Sequence, residues 1–218
     1  MMRRHADLLA VAVLSALLAL WSNRWSDGDL ITATWFFDAA TGAFPLRRQW
    51  LLSVVLHDGL KWLAVVVWVA LLAGWIAMRL RGVAGDLRRR LAFVLVASLL
   101  AVIAVNLARA QSAHSCPWYV ADFGGSGQYF RLLEMRPTEP GPGKCLPSGH
   151  AATAFMWLAL LPAQTGARRR LALAGVLLLG GVAGTVQVAR GAHFPSHILL
   201  SAALCALVVW ICAVLARK

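Results

Sequence analysis

Two short stretches carry the residues that could do chemistry in this chain: Lys144-Cys145-Leu146-Pro147-Ser148-Gly149-His150 and Arg190-Gly191-Ala192-His193-Phe194-Pro195-Ser196-His197. Each joins histidine to hydroxyl or cationic groups at the edge of an apolar run, and one hydrophobic hairpin separates them. Pro147-Ser148-Gly149-His150 ends a polar interval and opens an apolar helix. The Ser148 hydroxyl and the Gly149 and His150 N–H groups then stand at a helix N-terminus, where anions are stabilised. Pro-Ser-Gly is also an ordinary helix-start signal. Phosphoryl transfer without a metal needs a nucleophile, an acid for the leaving oxygen, and fixed cations or N–H donors around the other oxygens. Histidines 150 and 193, with Lys144 and Arg190 beside them, offer such a set where a water-soluble headgroup would meet a membrane. This points to phosphate chemistry on a lipid. His193 and His197 also have the four-residue spacing of a zinc pair, but Pro195 lies between them and no third ligand is evident, so no metal is expected.

The rest of the chain must hold these groups in a bilayer. Of its 218 residues, 60% are hydrophobic and 14% charged, and the mean hydropathy is +0.70, too apolar for a soluble domain of this size. It reads as one all-α polytopic membrane domain over residues 1–218. A spanning helix needs about 20 mostly apolar residues. Six segments are expected to span: Leu8 to Trp21, Leu60 to Met78, Leu91 to Ala108, Ala151 to Leu161 with its flanks, Leu171 to Val188, and Ile198 to Leu215. The fourth has the shortest uncharged stretch and is followed by Pro162. A long outside loop, Arg109 to Gly149, joins the third span to the fourth. It is rich in Gly and Pro, so it is expected to be ordered without long helices.

Orientation follows from the cations, because short loops rich in Lys and Arg stay cytoplasmic. With six spans, both termini share a side with Arg3, Arg4, Arg79, Arg81, Arg88, Arg89, Arg90, Arg168, Arg169, Arg170, Arg217 and Lys218. That face is expected to be cytoplasmic. Both motifs then face the periplasm of a bacterial inner membrane. Arg3 and Arg4 before an apolar core could also open a signal peptide. The stretch instead ends in Leu20-Trp21-Ser22-Asn23-Arg24-Trp25, without a small-residue cleavage pattern. Topology and attraction to anionic headgroups account for the net charge of +12, and no aromatic-basic platform suggests a nucleic-acid partner. In the first outside loop, Trp25, Trp35, Phe36, Phe37 and Phe44 are suited to the bilayer interface.

The four cysteines divide by location. Cys205 and Cys212, seven apart on the last helix, read as small buried hydrophobes. Cys116 and Cys145 both lie in the long outside loop, an oxidising setting, where a disulfide pinning the loop's ends competes with two free thiols.

The motifs together resemble the phosphatidic acid phosphatase type 2 superfamily, membrane lipid phosphatases that share their site with vanadium haloperoxidases. Its pattern is Lys, six residues and Arg-Pro; then Pro-Ser-Gly-His; then Ser-Arg, five residues, His, three residues and Asp. The second motif matches in full at Pro147 to His150. In the first, Arg109 stands for the lysine and Cys116 for the arginine before Pro117. In the third, Gln187 takes the arginine position, His193 matches, and His197 falls where the aspartate would be. Each lost cation has a neighbour that could replace it: Arg190 for position 187, and Lys144 or Arg136 for position 116.

The resemblance covers about Arg109 to Ser201 and implies a metal-independent, cofactor-free phosphatase. His193 would be the nucleophile and His150 the acid and base. Arg109, Lys144, Arg190, Ser148, Gly149 and Gln187 would hold the phosphate. The group orienting His193 would be His197, or a carboxylate such as Asp122 or Asp58. Two other readings stay open: a phosphotransferase using the same phosphohistidine, and a non-catalytic transporter or lipid-binding protein. Neither the lipid nor the oligomeric state is legible.

Overall fold

Apolar segments in a bilayer must satisfy every backbone N–H and C=O internally, so they fold as helices. The computed structural model describes residues 5–216. Arg3, Arg4, Arg217 and Lys218, counted for orientation, lie outside the described residues. The chain forms α1 (Ala6–Leu20), prolonged by a π turn at Trp21–Trp25, and then a short α2 (Gly28–Thr34). A π-helical stretch, Leu51–Gly59, runs straight into α3 (Leu60–Leu80). After α4 (Asp86–Gln111) comes α5 (Gly149–Phe155), continued as a 3-10 helix through Met156–Ala163; α6 (Gly166–Ala189) and α7 (Pro195–Leu215) complete the order. The described residues contain no strand.

Among the described residues, five helical segments are long and apolar enough to cross a membrane: Ala6–Trp25, Leu51–Leu80, Asp86–Gln111, Gly166–Ala189 and Pro195–Leu215. The expected fourth span is shorter. Gly149–Ala163 is apolar, but at ~1.5 Å per α-helical and ~2.0 Å per 3-10 residue it reaches only roughly 26 Å, against a hydrocarbon thickness of about 30 Å. Pro162 lies within its last turn.

The centre of the bundle is α7, which packs on α1, α4 and α5. Its buried face is built of small residues, Ser201, Ala202, Cys205, Ala206, Val209 and Ala213, which let neighbouring backbones approach closely. Glycine does the same for α6: a Cβ at Gly180 would sit 2.1 Å from the Phe155 ring, and one at Gly184 2.4 Å from Ile198. By contrast α3 is peripheral, with Ala64 its only buried residue among those described.

Alternating helix direction brings the ends of α4 and α6 and the starts of α3, α5 and α7 to one end of the bundle. At the other end Asp7 at the start of α1 accepts from Arg169 at 2.6 Å (Nε) and 2.5 Å (Nη2), and the same guanidinium donates to the Leu161 carbonyl. The loop over residues 112–148 holds only 3-10 turns, Pro117–Tyr119 and Ala121–Phe123. The aromatics of the first outside loop divide. Phe37 and Phe44 pack on Phe123, with ring centroids 5.3 and 5.6 Å away, whereas Trp25 and Trp35 remain exposed.

One buried carboxylate ties that loop to the bundle. Asp29 of α2 is fully buried and accepts from Ser22 Oγ (2.9 Å), Asn23 Nδ2 (2.8 Å), the Ser196 N–H (3.0 Å) and the Ser196 hydroxyl. Burial pushes its carboxyl above the usual carboxylate range, and these donors oppose that shift. Removing the acceptor leaves several buried donors unsatisfied, at a cost of about 1–3 kcal/mol for each group stranded. Asp29→Ala should therefore lower the unfolding midpoint of the detergent-solubilised protein by several degrees. Glu139→Ala, at an exposed loop position, should stay within about 0.5 kcal/mol of the parent. Equal midpoints for the two variants would show that Asp29 does not tie the loop down.

Candidate active site

The turn that presents His193 is built by the end of α6. Gly191 has φ +70°, a left-handed position that favours glycine just past a helix. Its N–H donates to the Val188 carbonyl (2.9 Å), and those of Ala192 (2.9 Å) and His193 (3.3 Å) donate to the Gln187 carbonyl. These are the paired bonds of a Schellman ending, with His193 one residue beyond. Across from it, Ser148 caps α5: its Oγ accepts from the Ala151 N–H at 3.3 Å. The Ser148 N–H donates to the His197 carbonyl (3.1 Å), and Ser201 Oγ donates back to the Ser148 carbonyl (2.9 Å). The two motifs are thereby fastened to each other.

The His193 ring is buried, at 7% exposure. Its Nδ1 edge lies 3.3 Å from Cys145 Sγ and 3.4 Å from His197 Nδ1, which leaves Nε2 on the opposite edge. Burial, together with the neighbouring His150 and Arg109, pushes its proton affinity down to a pKa of about 3, while the Cys145 carbonyl acts the other way. The ring is therefore neutral across the physiological range, the state a nucleophile requires.

Cations converge on the same place. A Cβ at Gly149 would stand 3.3 Å from Arg109 Nη1, so the Arg109 guanidinium lies against the α5 N-terminus. Arg109 Nε is fixed by donating to the Lys144 carbonyl at 2.8 Å. Arg190 Nη1 donates to Gln187 Oε1 (3.2 Å) and its Nε to the Arg47 carbonyl (3.2 Å). Gln187 is buried and orients Arg190. The main chain of Lys144 aims Arg109, while its side chain is exposed. Arg136 is exposed in the loop.

The orienting candidates fall in three different places. His197 faces His193, within reach of the Cys145 carbonyl. Asp58 instead hydrogen-bonds His57 Nδ1 at 3.0 Å, because it sits on the π-helical entry to α3. Asp122 is exposed on a 3-10 turn of the loop. Three groups were not found from the sequence: the Cys145 carbonyl, Asp29 and His57. Only His57 left a signal, as an ionisable pair with Asp58 at the head of an apolar run.

Cys116 and Cys145 are joined as a disulfide, with Cα atoms 5.3 Å apart. Cys116 thus occupies its motif position as part of a covalent clasp behind His193. Cys116, Cys145 and His193 present ligand atoms within 4.8 Å of one another, close enough for a metal ion. As a disulfide, however, the sulfurs carry no thiolate to bind one.

The family model of the PAP2 superfamily matches residues 90–218, more than half of the chain, and the chain belongs to that superfamily. Membership points to phosphatase-type activity on phosphate esters in a protein whose apolar helices fit a membrane. The match includes all three motifs and leaves out α1, α2 and α3. No curated protein and no solved structure matches the chain.

Two predictions follow from this geometry. The disulfide closes a separation of 29 residues, which is worth about 2–4 kcal/mol. The double variant Cys116→Ser/Cys145→Ser should lose that much stability, together with most phosphate release, since Cys145 backs His193. Unfolding midpoints and phosphate assays with and without reductant measure both. The second concerns pH. His193 has an unfolded pKa near 6.5 and a folded one of about 3, so between these values the unfolded chain binds more protons. Its contribution to stability is thus present above about pH 6.5 and lost as pH falls toward 3. The midpoint of the wild type should drop more steeply from pH 7 to 4 than that of His193→Gln. Parallel curves would show that His193 is not held neutral.

Proposed function

We propose that this chain is an integral-membrane lipid phosphatase, which releases phosphate from a lipid phosphate monoester or diphosphate at the outer face of a bacterial inner membrane. The observation that carries the reading is the convergence of His193, His150, Arg109 and Arg190 at one end of the bundle, over the N-terminus of α5. An apolar groove of about 620 Å³ favours a lipid over a soluble ester. It lies between α1, α4 and α7 and is lined by Leu9, Val13, Leu204 and Leu207, with Leu146 and Pro147 from the residues just before Ser148. Hydrocarbon chains in that groove would bring a headgroup to the motif.

In the proposed reaction His193 Nε2 attacks phosphorus, forming a P–N bond as the P–O bond to the lipid breaks. His150 gives its proton to the departing oxygen. It then takes a proton from water, which attacks the phosphohistidine, frees phosphate and restores neutral His193. Arg109, Arg190, the Gly149 N–H and the Ser148 hydroxyl stabilise the equatorial oxygens. Ser148 Oγ accepts from Ala151, and its own proton remains to donate. The Lys144 ammonium, swung in from the surface, and the Gln187 amide would add further donors. The guanidinium groups supply the positive charge for which other phosphoryl-transfer enzymes use magnesium.

His193→Ala should abolish turnover, and Arg109→Ala should cost about two to three orders of magnitude in kcat. The decisive experiment assays purified protein with EDTA against phospholipids, isoprenyl diphosphates and lipid A phosphates, with and without an acceptor lipid. Free phosphate without an acceptor supports hydrolysis. Turnover only with an acceptor would make the protein a transferase, and full activity in His193→Ala would overturn the mechanism.

A further inference from the structure

His57 lies outside the region that matches the family, yet its ring stacks on His150. The centroids are 3.6 Å apart and the planes inclined by 29°. The Nδ1 of His57 is 3.0 Å from Asp58 Oδ1, on the π-helical stretch that leads into α3. By contrast His150 Nε2 is buried with no hydrogen-bond partner among the described residues. The stack is therefore a contact that fixes the plane of the His150 ring without a hydrogen bond. Imidazole N–H bonds lie in the ring plane, so stacked rings cannot pass a proton directly. Their coupling is through space.

We propose that His57, together with Asp58, is a positioning residue for His150: it fixes the plane in which His150 presents its proton and keeps the two rings to at most one proton between them. The proposal rests on the assignment of His150 as acid and base. Two imidazolium rings at this separation repel strongly even where the effective dielectric is well above that of a dry interior. The charged groups around the pair add to the effect. Lys61 of α3, Arg109 of α4 and Arg190 at the end of α6 act on His150, and Asp58 is the carboxylate that acts on His57. His193 is the further imidazole facing His150. Two imidazoles this close titrate as a unit, and their macroscopic steps belong to neither ring alone. A phosphate dianion arriving beside His150 offsets the repulsion and favours a proton on that ring, brought by solvent or by the substrate rather than across the stack, where the leaving oxygen can take it.

Three variants separate orientation from charge. His57→Ala removes both, and kcat should fall about tenfold to a hundredfold with KM changed less than threefold, as expected when an interaction of the transition state alone is lost. His57→Phe keeps a stacking ring and should recover kcat to within about tenfold of wild type. It should also move the alkaline limb of the pH profile up by about one unit, a tenfold gain in His150 proton affinity. Histidine Cε1 resonances of 13C-labelled protein in micelles, assigned through His150→Gln, report the same shift without any substrate. If the His150 resonance titrates at the same pH in wild type and His57→Phe, the proposal is overturned, whether or not a lipid substrate has been found. A wild type inert on every lipid while the resonance does shift would sink the phosphatase reading and leave the pairing standing.

Discussion

The two histidine motifs meet because the N-termini of α5 and α7 are hydrogen-bonded to each other. Ser148 donates to the His197 carbonyl, and Ser201 donates to the Ser148 carbonyl. Asp29 then receives the Ser196 N–H and hydroxyl in the first turn of α7. All of these groups are buried, where an unmatched donor or acceptor is costly. Neither helix can shift by a fraction of a turn without stranding one. This junction lets a short α5 sit at a fixed height beside α7, and the Schellman ending of α6 delivers His193 to the same place.

The electrostatics of the site are lopsided. Arg109 and Arg190 lie beside His150, and Arg109 also acts on His193; their hydrogen bonds go to carbonyl and amide oxygens rather than to carboxylates. Neutral acceptors fix the direction of each guanidinium, and Asp58 is the carboxylate near enough to act on Arg190. A carboxylate partner would have quenched the potential that an incoming phosphate meets. Low proton affinity at His193 comes first from burial and then from the neighbouring His150 and Arg109, so the field that draws a phosphate adds to the effect. The ring is thereby kept in its nucleophilic form.

Much of this was legible in the sequence because membrane constraints are severe. Five of the six spans expected from apolar length are helices long and apolar enough to cross a membrane, and Pro147-Ser148-Gly149-His150 announced a capped helix start. The fourth segment is short for a physical reason, since 3-10 geometry and Pro162 follow directly on two turns of α-helix. What could not be read were contacts between segments far apart in the chain. Asp29 has no spacing signature, since its partners Ser22, Asn23 and Ser196 combine local and distant positions. Asp58 is one of three candidates the sequence offers to orient His193, but helix geometry places it on His57. The carbonyl of Cys145 is a backbone group that no residue type could reveal.

The departures from the family pattern at positions 116 and 197 belong together. Where the family pattern has an arginine and an aspartate, this chain has one sulfur of a disulfide and a histidine; the disulfide's other sulfur, of Cys145, and His197 both abut the Nδ1 edge of His193. A carboxylate buried at position 197 would need a set of donors like that around Asp29, whereas a neutral histidine is buried at lower cost. The Cys145 carbonyl faces the ring and favours its protonated form. On the proposed mechanism this matters most after the first step. A phosphohistidine that keeps its Nδ1 proton is a cationic imidazole and a good leaving group, whereas one that has lost it departs poorly. The Cys145 backbone favours the protonated ring, and the disulfide keeps residue 145 beside it.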